Sequence, residues 1–270
     1  MVVKNRKKQK KKNYGSTDED TIRSYNQFSE EWAETIRSGK NLAHEYLEKP
    51  AMLKKLPNLS NKSVLCIGCG SGEECEYFFK QGVKRVVGID ISSNLIKNAK
   101  KSYPEIEFQV MDMEELEFSD NSFDYVYSSL ALHYVKDWTK PLSEIHRVLK
   151  KDGIFLFSVH NPIKSGAERV NIEDSKALLI GYSQNKEKQK HKIYGNYLNT
   201  RKINEIWFDK FEIKYYHKPI SSIINDIIKT KFEILDCIEP KTIDAAKKDE
   251  KVFWEVYQKI PLFIIFELKK

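Results

Sequence analysis

Long hydrophobic stretches and cysteine-rich patterns are missing from this sequence. No apolar run reaches the roughly 18 residues that a membrane-spanning helix requires, so we expect no transmembrane segment. The charged N-terminus lacks the apolar core of a secretory signal, and we expect a cytoplasmic protein. The four cysteines are Cys66, Cys69, Cys75 and Cys237, and three of them crowd one short segment. No second CxxC or histidine pair follows Cys66 and Cys69, so we expect neither a disulfide framework nor a metal site.

Positive charge is in excess only at the N-terminus. The chain has 46 Lys and Arg against 39 Asp and Glu, and the seven cations of residues 1–12 account for the whole difference. A block of like charges is typical of a disordered tail, which we predict for residues 1–16. The remaining chain is neutral, so we expect no nucleic acid on the folded body, although the tail could bind one.

Apolar runs alternate with helical stripes through most of the chain. Strands are predicted at residues 63–67, 85–90, 107–110, 124–128, 154–159, 232–237 and 262–268. Strands that alternate with helices form a mostly parallel sheet with helices on both faces. The sequence therefore predicts an α/β fold with a seven-stranded sheet whose last strand is antiparallel. A helical stripe from Trp138 to Leu149 precedes the fifth strand, and we expect Gly153 to end that helix.

The alternation also suggests how the chain is divided. We expect one domain over residues 17–270, beginning with a helical cap at 17–57 and a cofactor-binding core at 58–160. Residues 161–218 interrupt the alternation of strands and helices and are rich in aromatic side chains, which is typical of a lid over a binding site. Residues 219–270 return to the sheet.

A glycine-rich turn follows the first strand. Gly68, Gly70 and Gly72 allow a tight turn and bring bare backbone close to a ligand. Asp90 ends the next strand, where a carboxylate can accept hydrogen bonds from ribose hydroxyls. A dinucleotide site would have its third glycine at position 73, which is Glu73 here. The pattern therefore favours a nucleoside without phosphates, with an NAD(P)-dependent oxidoreductase as an alternative.

At this point the sequence resembles a known family. VLCIGCGSG (64–72), VGIDIS (87–92), DMEEL (112–116) with FDYV (123–126), and LKKDGI (149–154) look like the ordered motifs of class I S-adenosylmethionine-dependent methyltransferases. The small-molecule, ubiquinone-type branch is the most similar. The resemblance implies a Rossmann-like fold and transfer of a methyl group from S-adenosylmethionine to a small organic acceptor by in-line displacement.

The resemblance also implies cofactor contacts along the motifs. Glycines of the turn would line the methionine and ribose, Asp90 would bind the ribose hydroxyls, and Asp112 would accept from the adenine amino group. The full set is Tyr25, Gly68, Cys69, Gly70, Asp90, Ile91, Asp112, Met113, Ser128 and Leu130.

Cys66 departs from the family pattern, which usually has an acidic residue at this position. That residue helps to organise the methionine amino end, so its role could pass to Glu73 or to a backbone carbonyl near Ser128. A non-catalytic S-adenosylmethionine-binding regulatory protein is therefore an alternative function.

The acceptor is less well defined by the sequence. His133, His160 and His217 are the candidate bases, since histidine titrates near neutrality. Amino-directed nucleic-acid methyltransferases carry Asp/Asn-Pro-Pro-aromatic after the fourth strand, whereas this chain has SSLA at residues 128–131. We therefore expect a small-molecule substrate, with RNA or protein as alternative acceptors, and a monomer or homodimer without a metal.

Overall fold

The computed structural model describes residues 15–270. Residues 1–14, which make up most of the predicted basic tail, lie outside the described residues. Within residues 15–270, no helix is both long and apolar enough to cross a membrane.

The strands and helices follow the predicted alternation. The strands are β1 (Ser63–Ile67), β2 (Arg85–Asp90), β3 (Glu107–Val110), β4 (Phe123–Ser128), β5 (Leu149–His160), β6 (Glu168–Ile172), β7 (Ser175–Leu179), β8 (Gly181–Asn185), β9 (Lys190–Tyr194), β10 (Arg201–Trp207), β11 (Phe211–His217), β12 (Glu233–Ile238) and β13 (Phe263–Lys269). The helices are α1 (Glu19–Gln27), α2 (Ser29–Arg37), α3 (Lys49–Lys54), α4 (Glu73–Lys80), α5 (Ser93–Ser102), α6 (Thr139–Val148), α7 (Pro162–Gly166), α8 (Ile220–Lys229), α9 (Ala246–Asp249) and α10 (Lys251–Tyr257). A π-helical turn spans His44–Glu48, and a 3₁₀ turn spans Leu132–Tyr134.

The main sheet has seven strands in the order β12-β13-β5-β4-β1-β2-β3. Neighbouring strands from β3 to β5 are parallel, whereas β13 runs antiparallel to both β5 and β12. The predicted α/β class, the seven strands and the antiparallel last strand are confirmed. The last two strands, β12 and β13, pair at one edge of the sheet. Because α9 and α10 separate them along the chain, they do not form a tight hairpin.

Both faces of the sheet are covered, which explains why the central strands β1 and β2 are nearly continuous apolar runs. Leu65 and Ile67 of β1 belong to a core cluster that includes side chains of α6 and α8. Val64 and Cys66 point to the opposite face and pack in a cluster with side chains of α3, α4 and α5. Residues at successive positions of a strand therefore serve two separate cores.

The helix before β5 ends earlier than predicted. α6 stops at Val148 and β5 begins at the next residue, so Gly153 lies inside a strand and does not end the helix. The β4–β5 register shifts between Phe123 and Tyr125, and a Cβ on Gly153 would lie 2.8 Å from the carbonyl oxygen of Lys150. Glycine is therefore needed here because the backbone is crowded at an irregular strand pairing.

The segments outside the sheet pack against each other. The chain after α7 forms three antiparallel hairpins, β6–β7, β8–β9 and β10–β11. Tyr25 of α1, Trp32 of α2 and Phe28 between the two helices belong to an aromatic cluster that surrounds Phe211 and Tyr215 of β11. Ser24 and Thr21 on α1 also donate hydrogen bonds to carbonyl groups of β11. The N-terminal helices and the third hairpin thus form one cover beside the sheet.

Gly88 in β2 gives a test of the core packing on the sheet face that α3, α4 and α5 cover. A Cβ at position 88 would lie 2.6 Å from Cδ1 of Phe108 and 2.9 Å from Sγ of Cys69. We expect Gly88→Ala to lower the free energy of unfolding by about 1–3 kcal/mol in urea titrations, because the core on this face is already filled. Phe108→Leu in the same molecule should relieve the clash. Strictly additive effects of the two substitutions would contradict this explanation.

Candidate functional site

A cavity of about 550 Å³ lies at the carboxyl ends of the central strands, beneath the N-terminal helices and the third hairpin. In parallel α/β sheets, this edge is where ligands bind. All the residues for which the sequence predicts cofactor contacts line the cavity except Ser128. Ser128 is buried beneath it and donates a hydrogen bond to the carbonyl of Ile67 at 3.1 Å.

The glycine turn leaves open space for a ligand. Gly68, Gly70 and Gly72 have φ angles of 66°, 55° and 97°, a region that disfavours other residues. A Cβ on Gly68 would lie 2.4 Å from Cβ of Ala131, so no side chain fits there. A Cβ on Gly70 would face the cavity, where the nearest atom is Nε1 of Trp32 at 4.0 Å. The turn therefore has the shape that a ligand lying against the backbone requires.

The carboxylate of Asp90 connects this turn to the loop after β2. Oδ2 of Asp90 accepts a hydrogen bond from the N–H of Gly70 at 3.0 Å, and Oδ1 accepts one from the N–H of Ser92 at 2.8 Å. Burial raises the pKa of Asp90, and hydrogen bonds from Ser92 and Gly70 oppose that rise. A carboxylate has about four lone-pair positions, so two remain for the paired hydroxyls of a ribose.

The next loop along the sheet offers a second carboxylate. Asp112 follows β3, and its Oδ1 accepts a hydrogen bond from the N–H of Glu114 at 2.9 Å. Burial raises the pKa of Asp112. Ile91 and Met113 line the cavity beside the two carboxylates and supply apolar surface for a flat ring. This arrangement fits an adenosine group whose base lies between apolar side chains.

Aromatic side chains of the N-terminal helices cover the cavity. The hydroxyls of Tyr25 and Tyr134 lie 2.7 Å apart, and the ring of Tyr25 meets Trp32 edge-on at 5.4 Å between centroids. Burial raises the pKa of Tyr25, so its hydroxyl stays neutral. Trp32 is stacked on Trp207 of β10, with ring centroids 6.1 Å apart. These aromatic side chains therefore cover the part of the cavity next to the glycine turn.

His133 and His160 form a stacked pair in the cavity wall. Their ring centroids lie 4.1 Å apart with the planes 17° apart, and Tyr215 meets both rings edge-on. Within residues 15–270, both ring nitrogens of His133 and Nδ1 of His160 lack hydrogen-bond partners. Burial lowers the pKa of His133 to about 3 and lowers that of His160 as well, with the positive charge of Lys164 adding to both effects. Both rings are therefore neutral hydrogen-bonding groups.

His217 does not line the cavity. Its Nδ1 lies 2.8 Å from the hydroxyl of Ser165, and its Nε2 lies 2.7 Å from the carbonyl of Tyr197. Both nitrogens are therefore already used in holding the segment after α7, and we do not include His217 among the groups that could contact an acceptor.

Charged side chains that the sequence analysis missed line the cavity near the histidines. Nζ of Lys164 lies 3.6 Å from Glu205 and 3.3 Å from the hydroxyl of Tyr215, while Arg169 lies 3.1 Å from Glu205. Two cations against one carboxylate leave one positive charge in excess. Nothing in the sequence pattern pairs these residues, since β6 and β10 come together only through the folding of the insertion.

A second missed group lies beyond the glycine turn. His44 and Glu74 line the cavity there, and Glu48 is buried behind them. Glu73, which the sequence suggested as a replacement for the acid missing at position 66, is held by Arg37 at 2.7 Å and by the hydroxyl of Ser71 at 2.8 Å. The carboxylate of Glu73 is thus already paired.

Comparisons with known proteins place this geometry in a family. Residues 65–157 match the family described as a methyltransferase domain. A methyltransferase structure from Mesorhizobium loti, described as S-adenosylmethionine-dependent, is 25% identical and superposes with a TM-score of 0.69 over 86% of this chain and 99% of that one. The ubiquinone/menaquinone biosynthesis C-methyltransferase UbiE of Rickettsia prowazekii is 35% identical over 131 residues, which cover 44% of this chain and 52% of UbiE.

Two further relatives differ in how much of this chain they match. An uncharacterised protein of Haemophilus influenzae is 30% identical over 242 residues, which cover 85% of this chain and 90% of that protein. The arginine-hydroxylase NDUFAF5 of Danio rerio is 40% identical over 92 residues, but these cover only 34% of this chain and 29% of that protein. The chain thus spans less than a third of NDUFAF5 and about half of UbiE, so neither relative defines the acceptor.

The two buried histidines are expected to stay neutral throughout the physiological pH range. Because burial lowers both pKa values, each ring gains its proton only in acid, near pH 3 for His133. NMR spectra of histidine-labelled protein should show no titration of either ring around 6.5, the ordinary histidine pKa. His44 is the internal contrast, because burial lowers its pKa but the hydrogen bond to Glu74 and the charges of Glu48 and Glu74 together outweigh burial and raise it. Titration of His133 near neutrality would contradict this explanation, because it would show that water reaches the ring.

Removal of the Asp90 carboxylate should weaken cofactor binding. We expect Asp90→Ala to reduce the affinity for S-adenosylhomocysteine by about 1–3 kcal/mol, because ribose hydroxyls and the N–H of Gly70 lose their acceptor. Isothermal titration calorimetry measures this, with Asp120→Ala as the matched control, since the exposed Asp120 pairs with Arg147 and does not line the cavity. Equal affinities for the wild type and Asp90→Ala would place the ribose elsewhere.

The motifs and the sheet order agree with the comparisons, and the predicted resemblance to the ubiquinone-type branch is confirmed by the similarity to UbiE. The NAD(P) alternative is not supported, because a related structure that superposes on most of the chain is described as an S-adenosylmethionine-dependent methyltransferase. The protein is therefore an enzyme of the class I S-adenosylmethionine-dependent methyltransferase family, with S-adenosylmethionine as its cofactor.

Proposed function

We propose that this methyltransferase acts on a small organic acceptor that carries a hydroxyl or an acidic group. The proposal rests on one observation: the cavity continues from the glycine turn to the stacked pair of His133 and His160. A volume of about 550 Å³ suits a small-molecule pocket better than a macromolecular surface. The acceptor would therefore lie beside the histidines, within reach of the methyl group.

The wall of the cavity supports this acceptor chemistry. Trp207, Phe208 and Phe263 supply apolar surface for the body of a small molecule. Lys164 and Arg169 outnumber Glu205, which favours an acceptor with negative charge or a polarised hydroxyl. The unpartnered nitrogens of the two histidines provide hydrogen-bonding positions that a bound acceptor can fill.

The residues of this chain act mainly by positioning. S-adenosylmethionine supplies an electrophilic methyl group on sulfur, and the acceptor attacks it in line. The glycine turn and Asp90 hold the cofactor, and the aromatic side chains of the N-terminal helices exclude water. His133 and His160 orient the acceptor. With pKa values lowered by burial, they take a proton only from a strongly acidic hydroxyl.

The remaining partners and the location also belong to this proposal. Cys66, Cys69 and Cys75 are buried as free thiols, which supports a reducing compartment such as the cytoplasm. We propose a monomer or homodimer, and we place any contact with nucleic acid on the basic tail and not on the folded body, because the charge excess lies in residues 1–12.

The acceptor class can be tested with methyl-labelled S-adenosylmethionine. The enzyme is incubated separately with small-molecule, RNA and protein fractions of one cell extract, and the label incorporated into each fraction is counted. We expect incorporation into the small-molecule fraction. Label in RNA or protein alone would move the acceptor to that class, and cofactor binding without transfer to any fraction would indicate a regulatory role.

The histidine pair gives a residue-level test of the same proposal. We expect His160→Gln and His133→Gln each to lower kcat/KM for the acceptor at least 10-fold, which is about the effect of losing one hydrogen bond to a polarised group. The affinity for S-adenosylhomocysteine should stay unchanged. His146→Gln is the control, since His146 packs on Phe232 away from the cavity. Full activity of both variants would show that the acceptor binds elsewhere.

A further inference from the structure

A cluster of buried ionisable side chains lies next to the cavity and has no part in the function described so far. His44 and Glu48 come from the π-helical turn, and Glu74 comes from α4. The side chains of His44, Glu48 and Glu74 are 8%, 0% and 21% exposed. Nε2 of His44 lies 3.3 Å from Oε1 of Glu74 and 3.6 Å from Oε2 of Glu48. Buried charges of this kind are costly unless they are paired, so their retention needs an explanation.

The sheet order fixes where this cluster lies relative to the adenosine residues. Asp112 follows β3 and Asp90 ends β2, whereas β1 and β4 come next in the sheet. Oε1 of Glu48 accepts hydrogen bonds from the hydroxyls of Ser129, just after β4, and of Ser158 in β5, at 2.9 and 2.5 Å. The cluster is thus on the far side of β1 from the two carboxylates, so a nucleoside that spans β3 to β1 has its remaining substituent directed towards it.

The charges of the cluster are complementary to an amino acid. Burial alone would lower the pKa of His44, but the hydrogen bond to Glu74 and the charges of Glu48 and Glu74 raise it. His44 conversely lowers the pKa of Glu74, against the effect of burial. Both shifts, together with the 3.3 Å separation, favour an imidazolium beside a carboxylate in the cavity wall, and the methionine end of the cofactor is an ammonium beside a carboxylate.

We propose that His44 and Glu74 bind the zwitterionic methionine end of S-adenosylmethionine, with the imidazolium facing its carboxylate and Glu74 facing its ammonium. The carboxylate that the family usually carries on β1 is replaced at that position by Cys66, which is fully buried and uncharged here. In this chain, the recognising charges are supplied by α4 and the N-terminal segment instead.

Glu48 acts on this site through His44 and is a positioning residue. Its Oε1 is used by Ser129 and Ser158, while its Oε2 has no hydrogen-bond partner within residues 15–270 and faces His44 at 3.6 Å. Glu48 thereby attaches the π-helical turn to the ends of β4 and β5. Its carboxylate raises the pKa of the His44 imidazole, an effect that Lys49 partly opposes, while burial raises the pKa of Glu48 itself.

Two ligands separate recognition of the methionine end from recognition of adenosine. S-adenosylhomocysteine carries the amino-acid group, and 5′-methylthioadenosine lacks it. We expect His44→Gln and Glu74→Gln to weaken S-adenosylhomocysteine about 10- to 100-fold in calorimetry, as expected for lost hydrogen bonds to charged groups, and to leave 5′-methylthioadenosine unchanged. Glu76→Gln is the matched control on α4, because Glu76 pairs with Lys80 and does not line the cavity.

The assay contains no acceptor, so its outcome is independent of the proposed substrate. An equal loss of affinity for both ligands would overturn the proposal, because it would show that the cluster only supports the fold. Unchanged affinity for both would also overturn it, since the methionine end would then bind elsewhere.

A measurement on the wild-type protein covers the case in which a variant fails to fold. The imidazole resonances of His44 should shift when S-adenosylhomocysteine is added at saturation and stay in place with 5′-methylthioadenosine. Identical responses to the two ligands would count against the proposal. For the positioning role, we expect Glu48→Gln to lower the pKa of His44 in the same spectra, because a negative charge beside the imidazolium is removed. An unchanged pKa of His44 would restrict Glu48 to holding the strand ends.

Discussion

The carboxylate of Asp90 is the contact on which the rest of the site depends. One side chain accepts hydrogen bonds from the backbone of two loops, at Gly70 and at Ser92. The parallel pairing of β1 and β2 brings these loops to the same edge of the sheet, but pairing alone does not fix their conformation. With Asp90 in place, the glycine turn and the start of α5 are set together, and the other groups that line the cavity are arranged around them.

The parts of the fold that could be predicted are those determined locally. Strands β1 and β2 are apolar runs that end at glycine or aspartate, and Ser92 caps α5 as its type and position indicate. The end of α6 was predicted wrongly because Gly153 is a common stop signal, whereas the actual reason for glycine is a close approach of backbone within β5. Glycine is common both at the end of a helix and at a crowded position in a strand. The sequence alone cannot distinguish these two situations, because the crowding depends on the neighbouring strand.

The site was predictable only where its residues follow strands. Gly68, Gly70, Asp90 and Asp112 could be predicted to line one cavity because the edge of a parallel sheet collects the residues at strand ends. His44 and Glu74 lie 30 residues apart, on segments whose packing depends on the whole fold, and neither belongs to a recognisable pattern. The missing acid at position 66 was visible in the sequence, but the location of compensating charge was not.

The cover of the cavity is built from two distant parts of the chain. Tyr25 and Trp32 come from the first helices, and they pack on Phe211 and Trp207 of the last hairpin before α8. The same aromatic contacts hold the two parts of this cover together beside the cavity. A separation of the helices from the hairpin during ligand exchange would break these contacts, which would link the rate of repeated turnover to the strength of hydrophobic packing that takes no part in the chemistry.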